Sequence, residues 1–317
     1  MSASAPFSTQ TLPFGETALA QAARLIAQGQ PVAVPTETVY GLGADATNDE
    51  AVAAVFAAKD RPAFNPLIAH LPTPEAAFSQ GRFSPQAQTL AAAFWPGPLT
   101  LVVDAVETTT VCDLARAGLP TLAIRVPAHP AARALLEAFG GPLVAPSANP
   151  SGRISPTRAS HVAAEMAGHI DLILDGGPCD QGIESTVIDA RGEAPVLLRH
   201  GTITPETIEA VWPGLTHGGG EGKPVSPGQL LRHYAPDAEL RLNADAPVPG
   251  EAFLGFGPGE ATLNLSASGD LAEAAANLFA MLRDLDAAHD RIAVARIPAD
   301  GLGAAINDRL VRAANRD

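Results

Sequence analysis

The chain has 317 residues, 46% hydrophobic and 17% charged, with a formal net charge of −14. That length favours two domains over one core, and the apolar fraction excludes a disordered chain. The acidity works against polyanions over most of the surface, so bulk nucleic-acid binding is not expected. Apolar runs are strand-length and interrupted by Pro or Gly, so no membrane is expected as a partner. Two cysteines, Cys112 and Cys179, suffice for neither a disulfide framework nor a four-cysteine zinc site. Both read as core residues in a reducing, cytoplasmic compartment.

Met1 to Leu12 lack the regions of a signal peptide and read as a loose tail. An amphipathic run over Glu16–Gln28 leads to a strand at Pro31–Pro35. Thr47 and Glu50 form a capping box ahead of a helix through Ala51–Ala58. Strand patterns follow at Leu67–Leu71, Leu99–Val103, Thr121–Val126, Pro142–Ala145, Leu172–Leu174, Thr186–Asp189 and Pro195–Leu198. Helical patterns near Pro85–Phe94, Pro130–Phe139, Thr157–Ala167 and Pro205–Val211 separate several of them. Such alternation predicts an α/β domain.

From Trp212 to Pro224 three successive glycines and two prolines mark a linker. A smaller α/β pattern follows, with strands at Phe253–Phe256 and Ile292–Ile297 and helices near Leu271–Ala288 and Ala304–Ala314. It holds few candidate catalytic groups and reads as supportive.

Several familiar signatures nearly match and are refused. Gly41-Leu-Gly43-Ala-Asp-Ala46 fits a dinucleotide fingerprint on paper, yet no strand runs straight into it and no helix opens on it. His217–Lys223 resembles a P-loop, but His217 stands at its first glycine and Pro224 at its Ser/Thr. His161 and Glu165 share a helix face without a third ligand and read as an exposed polar face.

What remains is a set of polar clusters at strand ends, where ligands collect in open α/β sheets. Pro35-Thr-Glu-Thr38-Val-Tyr-Gly41 follows the first strand. Asn65 and His70 bracket another, and alternation puts Thr121, Ala123 and Arg125 on one face of a third. Ala145-Pro-Ser147-Ala-Asn149, Gly182-Ile-Glu-Ser185-Thr and Leu197-Leu-Arg199-His-Gly201 complete the set. Lysine occurs only twice, at Lys59 and Lys223, against eighteen arginines. Lys59 stands two residues before Arg61, where the pair either closes a helix or holds phosphates. Cations, hydroxyls and amides without a strong general base suit an anionic substrate pair: Lys59, Arg61 and Arg199 for phosphates, Arg125 for a carboxylate, and Thr38, Ser147, Asn149 and Ser185 for orientation.

In that order, Pro35-Thr-Glu-Thr-Val-Tyr-Gly-Leu42, Lys59-Asp-Arg61, Asn65-Pro-Leu67, Trp95-Pro-Gly-Pro-Leu-Thr100, Arg125-Val-Pro127, Pro146-Ser-Ala-Asn149, Glu184-Ser-Thr-Val-Ile188 and Arg199-His-Gly201 resemble the YrdC-type threonylcarbamoyl-AMP synthases. Ser226-Pro-Gly228 and Arg232-His-Tyr-Ala-Pro236 resemble the linker of the longer, two-domain branch, although Gln229-Leu-Leu231 stands where that pattern carries a lysine. The resemblance implies a twisted mixed sheet with helices around a large concave cavity over residues 14–213. A linker over 214–238 would act as an active-site lid, and a small α/β domain would occupy 239–317. It also implies the reaction: L-threonine, bicarbonate and ATP give threonylcarbamoyl-AMP and pyrophosphate. The product would pass to a tRNA-modifying enzyme for modification of an adenosine beside the anticodon.

Carried over by position, Lys59 and Arg61 would be catalytic, acting on the phosphates. Thr38, His70, Arg125, Ala145 and Ser185 would line the threonine and carbamate site. Asn65, Thr121, Ser147, Asn149, Ser155, Arg199 and the lid residue Tyr234 would complete the ATP site. No protein metal ligands are implied; Mg²⁺ would arrive on ATP. The alternatives are an O-carbamoyltransferase, which would want cysteine-rich zinc motifs, a double-stranded-RNA-binding or ribosome-assembly module, which would want a basic face, and a nucleotide-binding regulatory domain without turnover.

Overall fold

The structure is a computed structural model describing residues 8–62, 64–218 and 234–315. In chain order, the N-terminal part runs β1 (Gln10–Pro13), α1 (Glu16–Ala27), β2 (Val32–Pro35), β3 (Tyr40–Asp45), α2 (Asp49–Lys59), β4 (Ile68–His70), α3 (Pro74–Phe78), β5 (Gly81–Arg82), α4 (Pro85–Phe94), β6 (Leu99–Ala105) and β7 (Thr121–Arg125). It continues through α5 (Pro130–Phe139), β8 (Leu143–Val144), α6 (Ala159–Met166), β9 (Leu172–Asp175), β10 (Thr186–Asp189), β11 (Val196–Arg199), α7 (Pro205–Val211) and β12 (Thr216–His217). The C-terminal part adds β13 (Glu239–Ala244), β14 (Ala252–Gly255), β15 (Leu263–Asn264), α8 (Leu271–Asp286), β16 (Arg291–Ala295) and α9 (Leu302–Ala314).

Local chemistry sets many of these boundaries. Thr73, Ser84 and Thr204 each accept a backbone N–H three residues on, with proline at the first helical position behind them. The capping box is corrected. Asn48, not Thr47, caps α2 by accepting from the amides of Glu50 and Ala51, while the Thr47 hydroxyl turns back to Asp45. The N-terminal tail is corrected too, because Gln10–Pro13 pairs in parallel with β9. Met1 to Phe7 lie outside the described residues.

The first sheet is mixed, in the order β1-β9-β2-β3-β8-β4-β7-β6-β10-β11-β12, with β5 paired to β6. Alternation along β7 divides its two faces. Leu122 and Ile124 join the main core with Leu42, Leu99, Leu101 and Phe56. Ala123 faces the other way, with Ile68, Val102 and Val187 in a small apolar patch. That second face becomes polar toward Arg125 and forms the floor of a concavity. A separate core joins α1 and α5 to β2 and β9 through Ala22, Ile26, Leu135, Val32 and Leu172.

The C-terminal part is a four-stranded parallel sheet, β13-β16-β14-β15, carrying α8 and α9. Its core of Leu254, Leu278, Phe279, Ile292 and Ile306 also takes in Val39, Ile154 and Ile183 from the first domain. The two domains therefore share buried apolar surface. Among the described residues no helix is long and apolar enough to cross a membrane.

Candidate active site

The turn joining β2 to β3 supplies the first wall. Thr36 donates its hydroxyl to the Val39 carbonyl at 2.7 Å, so Thr38, 2.8 Å away, must donate to Thr36. Thr38 is left accepting from Arg125 Nη1 at 3.0 Å. Glu37 meets Arg125 Nη2 at 2.6 Å and accepts the backbone amides of Ala128 and His129 ahead of α5. Burial pushes the Glu37 carboxyl up, but the Arg125 charge and these hydrogen bonds outweigh it and hold it below the ordinary range.

Strand register supplies the floor. His70 lies opposite Arg125, Arg125 opposite Thr100, Thr100 opposite Val187 and Val187 opposite Arg199. Residues directly opposite share a face, so one row across β4, β7, β6, β10 and β11 carries an imidazole and two guanidinium groups. Arg199 is tied to the Ser185 carbonyl and hydroxyl, both at 3.0 Å, and that hydroxyl lies 2.7 Å from Thr100. His70 Nδ1 sits 3.1 Å from the Ile68 carbonyl. A carbonyl can only accept, so Nδ1 carries the proton and Nε2 remains an acceptor. Burial, then the nearby Arg125 charge, lowers the His70 pKa to about 3, so the ring is neutral at physiological pH.

The loop after α2 supplies a third cation. Asp60 closes the helix in a left-handed conformation and turns Arg61 back, where its Nη2 donates to the carbonyls of Asn65 and Pro66. Burial, then repulsion from Arg199, pulls the Arg61 pKa down to about 10. Lys59 lies behind this loop, fully buried, donating to the carbonyls of Ser147 and Asn149. Burial and the Arg61 charge push its pKa well below the ordinary value. Arg61 Nε, Asn65 Oδ1 and Asn149 Oδ1 are buried without a hydrogen-bond partner among the described residues. Such groups are rare in folded proteins, and a ligand, an ion or ordered water commonly meets them.

These walls line a concave cavity that opens to solvent. Of the residues singled out from sequence, Thr38, Arg61, His70, Arg125, Ala145, Ser147, Ser185, Arg199 and Tyr234 line it. Lys59, Asn65, Thr121, Asn149 and Ser155 do not. Lys59 braces the Ser147–Asn149 segment, and Thr121 lies at the opposite end of β7, paired with Asp104. Ser155 donates to Glu184 at 2.5 Å. Lys223 and Gln229-Leu-Leu231, with the rest of 219–233, fall outside the described residues. Glu184, Val39, Ile68 and Pro146 also line the cavity and received no role from sequence, although Glu184 lay inside a quoted motif. The reading of His161 and Glu165 as an exposed face is corrected in part: Glu165 pairs with Arg283 of α8 at 2.8 Å.

The Sua5/YciO/YrdC family model, described as telomere recombination, matches residues 24–201. The model for the threonylcarbamoyl-AMP synthase C-terminal domain matches residues 203–315. A threonylcarbamoyl-AMP synthase of Bacillus subtilis is 40% identical, covering 96% of this chain and 95% of the relative. One from Pyrococcus abyssi is 42% identical, covering 92% of each. The crystal structure of P. abyssi Sua5 complexed with L-threonine superposes with a TM-score of 0.88 at 38% identity, covering 96% of this chain and 97% of that one. Escherichia coli YciO, 22% identical with a TM-score of 0.54, shares the fold of the first domain; it covers 62% of this chain and 96% of its own.

Proposed function

Because the chain belongs to the Sua5/YciO/YrdC family, in the branch with a threonylcarbamoyl-AMP synthase C-terminal domain, we propose that it makes threonylcarbamoyl-AMP and pyrophosphate from L-threonine, bicarbonate and ATP. One observation carries this reading: Arg61, Arg125 and Arg199 converge on one buried cavity whose imidazole, His70, is too weak a base to activate a nucleophile. A carbamate needs no such base. Threonine's neutral amine adds to CO₂ formed from bicarbonate, the amine proton and the hydroxide from bicarbonate leaving together as water, and the carbamate so formed is an anionic nucleophile. Its oxygen forms a bond to the α-phosphorus as the α–β phosphoanhydride bond breaks and pyrophosphate leaves. Positioning and charge neutralisation then carry the catalysis.

In this reading Arg125, held in plane by Glu37 and Thr38, takes the threonine carboxylate as a bidentate partner. His70 Nε2 accepts from the amine or hydroxyl of threonine, beside Ala145 and Ser185. Arg61 and Arg199 neutralise the phosphates, Ser147 orients them, and Lys59 acts through the loop it braces. Asn65 and Asn149 lie just behind the lining on the nucleotide side, their amide oxygens buried without a partner among the described residues, and Tyr234 closes the wall beside them. Ser155 serves from behind the wall by holding Glu184. Mg²⁺ would arrive with ATP and would supply charge neutralisation at the phosphates, with no carboxylate of the site required to hold it. The carboxylates nearest to hand, Glu37 and Glu184, are already engaged by arginines. The enzyme works in the cytoplasm and passes its product to a tRNA-modifying enzyme.

The test is pyrophosphate release from ATP with and without L-threonine and bicarbonate, with serine and alanine as controls. Release that requires both co-substrates supports the synthase. Release indifferent to threonine overturns it. The O-carbamoyltransferase and RNA-binding alternatives are not favoured, given relatives of this identity and coverage that carry the synthase name.

A further inference from the structure

Arg309 belongs to α9 of the smaller domain, yet it is wholly buried at the wall of the cavity in the larger one. Its Nε donates to Glu184 Oε2 at 2.9 Å, while Ser155 holds the other oxygen of that carboxylate. Nη1 is fixed by the neighbouring Asp308 at 2.8 Å, and Arg312 one turn on pins the same carboxylate at 3.0 Å. The guanidinium lies 5.5 Å from the Tyr234 ring centroid, and that ring stacks on Phe279 of α8 at 5.3 Å. Glu184 and Tyr234 both line the cavity, whereas Arg309 does not. The domains also press closely here: a Cβ on Gly182, two residues before Glu184, would stand 2.4 Å from the Ala275 carbonyl of α8.

Cohesion alone does not require this chemistry. An apolar side chain of similar volume often holds a buried interface as well as an ion pair does. What a planar, forked cation adds is geometry, fixing one carboxylate and one ring at set angles. We propose that Arg309 is a positioning residue for the adenylation reaction, holding Glu184 and Tyr234 so that the nucleotide side of the site is complete only when the smaller domain is docked. The inference rests on the synthase reading and adds to it a residue from the domain that otherwise looks supportive.

The test compares steady-state pyrophosphate release by the full chain and by Arg309→Met, with unfolding followed in parallel. The variant is expected to lose about tenfold or more in kcat/KM for ATP while the threonine KM moves less than about twofold. Arg283→Met is the control. Arg283 also bridges the domains, donating to Glu165 and to the Ile154 carbonyl, but it touches no residue of the cavity lining. It is expected to lower the unfolding temperature and leave kcat/KM for ATP within about twofold. Combining Arg309→Met with Glu184→Gln is expected to cost no more than the worse single change, since the two act as one unit. Should Arg309→Met fail to fold, Arg309→Lys keeps the charge without the fork and is expected to lose at least about threefold on the same parameter. Wild-type kinetics in the folded Arg309 variant, equal kinetic losses in Arg283→Met, or losses that multiply in the double variant each overturn the inference. Wild-type protein that needs no threonine for release overturns the synthase reading and this inference together. Threonine-dependent wild-type turnover with an unaffected Arg309 variant overturns the inference alone.

Discussion

Arg125 and Glu37 are each under a tenth exposed and meet at 2.6 Å, so neither charge can be altered without consequence for the other. Arg125→Ala strands a carboxylate whose remaining donors are two backbone amides, and a loss of about 3–5 kcal/mol in denaturant unfolding is expected. Arg125→Lys keeps the charge but not the fork. Its stability should fall less, while the threonine KM rises about tenfold or more. A larger effect on the ATP KM than on the threonine KM would contradict the carboxylate role. His70 sets a pH dependence. Its pKa falls from 6.5 to about 3 on folding, so between those values the unfolded chain binds the extra proton. Stability from this group is therefore complete above pH 6.5 and declines as the pH falls toward 3, by up to about 1.4 kcal/mol per pH unit. His70→Gln should flatten that part of the stability curve. Lys59 shows how far residue type alone reaches. Its rarity and its place before Arg61 pointed to the phosphates, but its amine is committed to two carbonyls, a contact made across ninety residues of sequence.

At the scale of elements, the residue entering β10 and the last residue of β11 bring Ser185 and Arg199 together because Gly201 lets the chain pass against the start of β10. A Cβ there would lie 2.2 Å from the Thr186 nitrogen and 2.7 Å from the Glu184 carbonyl. Gly201→Ala must move backbone, so about 1–3 kcal/mol of stability should be lost. Turnover should fall with it, since Ser185, Arg199 and Glu184 shift together; a folded Gly201→Ala variant with full activity would refute the coupling. Elements with clean periodicity were legible from sequence: alternation in Thr121–Arg125 put Arg125 on the face where it stands, and the helical patterns over Pro85–Phe94 and Pro205–Val211 coincide with α4 and α7. Elements that depend on distant partners were not. Gln10–Pro13 has no alternation of its own and becomes a strand through β9, some 160 residues on. Tyr40–Asp45 carries no strand pattern in sequence, where Gly41 and Gly43 only half-match a dinucleotide fingerprint. Those glycines instead admit close neighbours, a Cβ on Gly41 lying 3.0 Å from the Ala145 methyl. The cap of α2 slipped by one residue because Thr47 and Asn48 are both competent acceptors, and only the Asp45 contact decides between them.

For the whole molecule, the question is how the smaller domain bears on a cavity it does not enclose by itself. Sequence made that domain look supportive because Arg309, Arg283 and Phe279 sit on ordinary amphipathic helices, and nothing local says that two of them end against Tyr234 and Glu184. The contact depends on Gly182, which has a φ of +70° and faces the backbone of α8, where a Cβ would meet the carbonyls of Ala275 and Ala276 at 2.4 and 2.5 Å. Neither obstacle is a flexible side-chain end, so alanine at this position must part the domains or distort the loop before Glu184. Overpacking of about 1–3 kcal/mol adds to about 1–2 kcal/mol for a left-handed alanine, and the unfolding transition of Gly182→Ala should drop accordingly. The functional consequence should be one-sided. Thr38, Glu37 and Arg125 are held by the β2–β3 turn and by the backbone ahead of α5, so threonine binding measured without ATP should survive in Gly182→Ala, while ATP-dependent turnover falls with the displaced Glu184 and Tyr234. Equal losses for both substrates would mean that the domains hold the cavity as a single block, and that the smaller domain has no particular bearing on its nucleotide side.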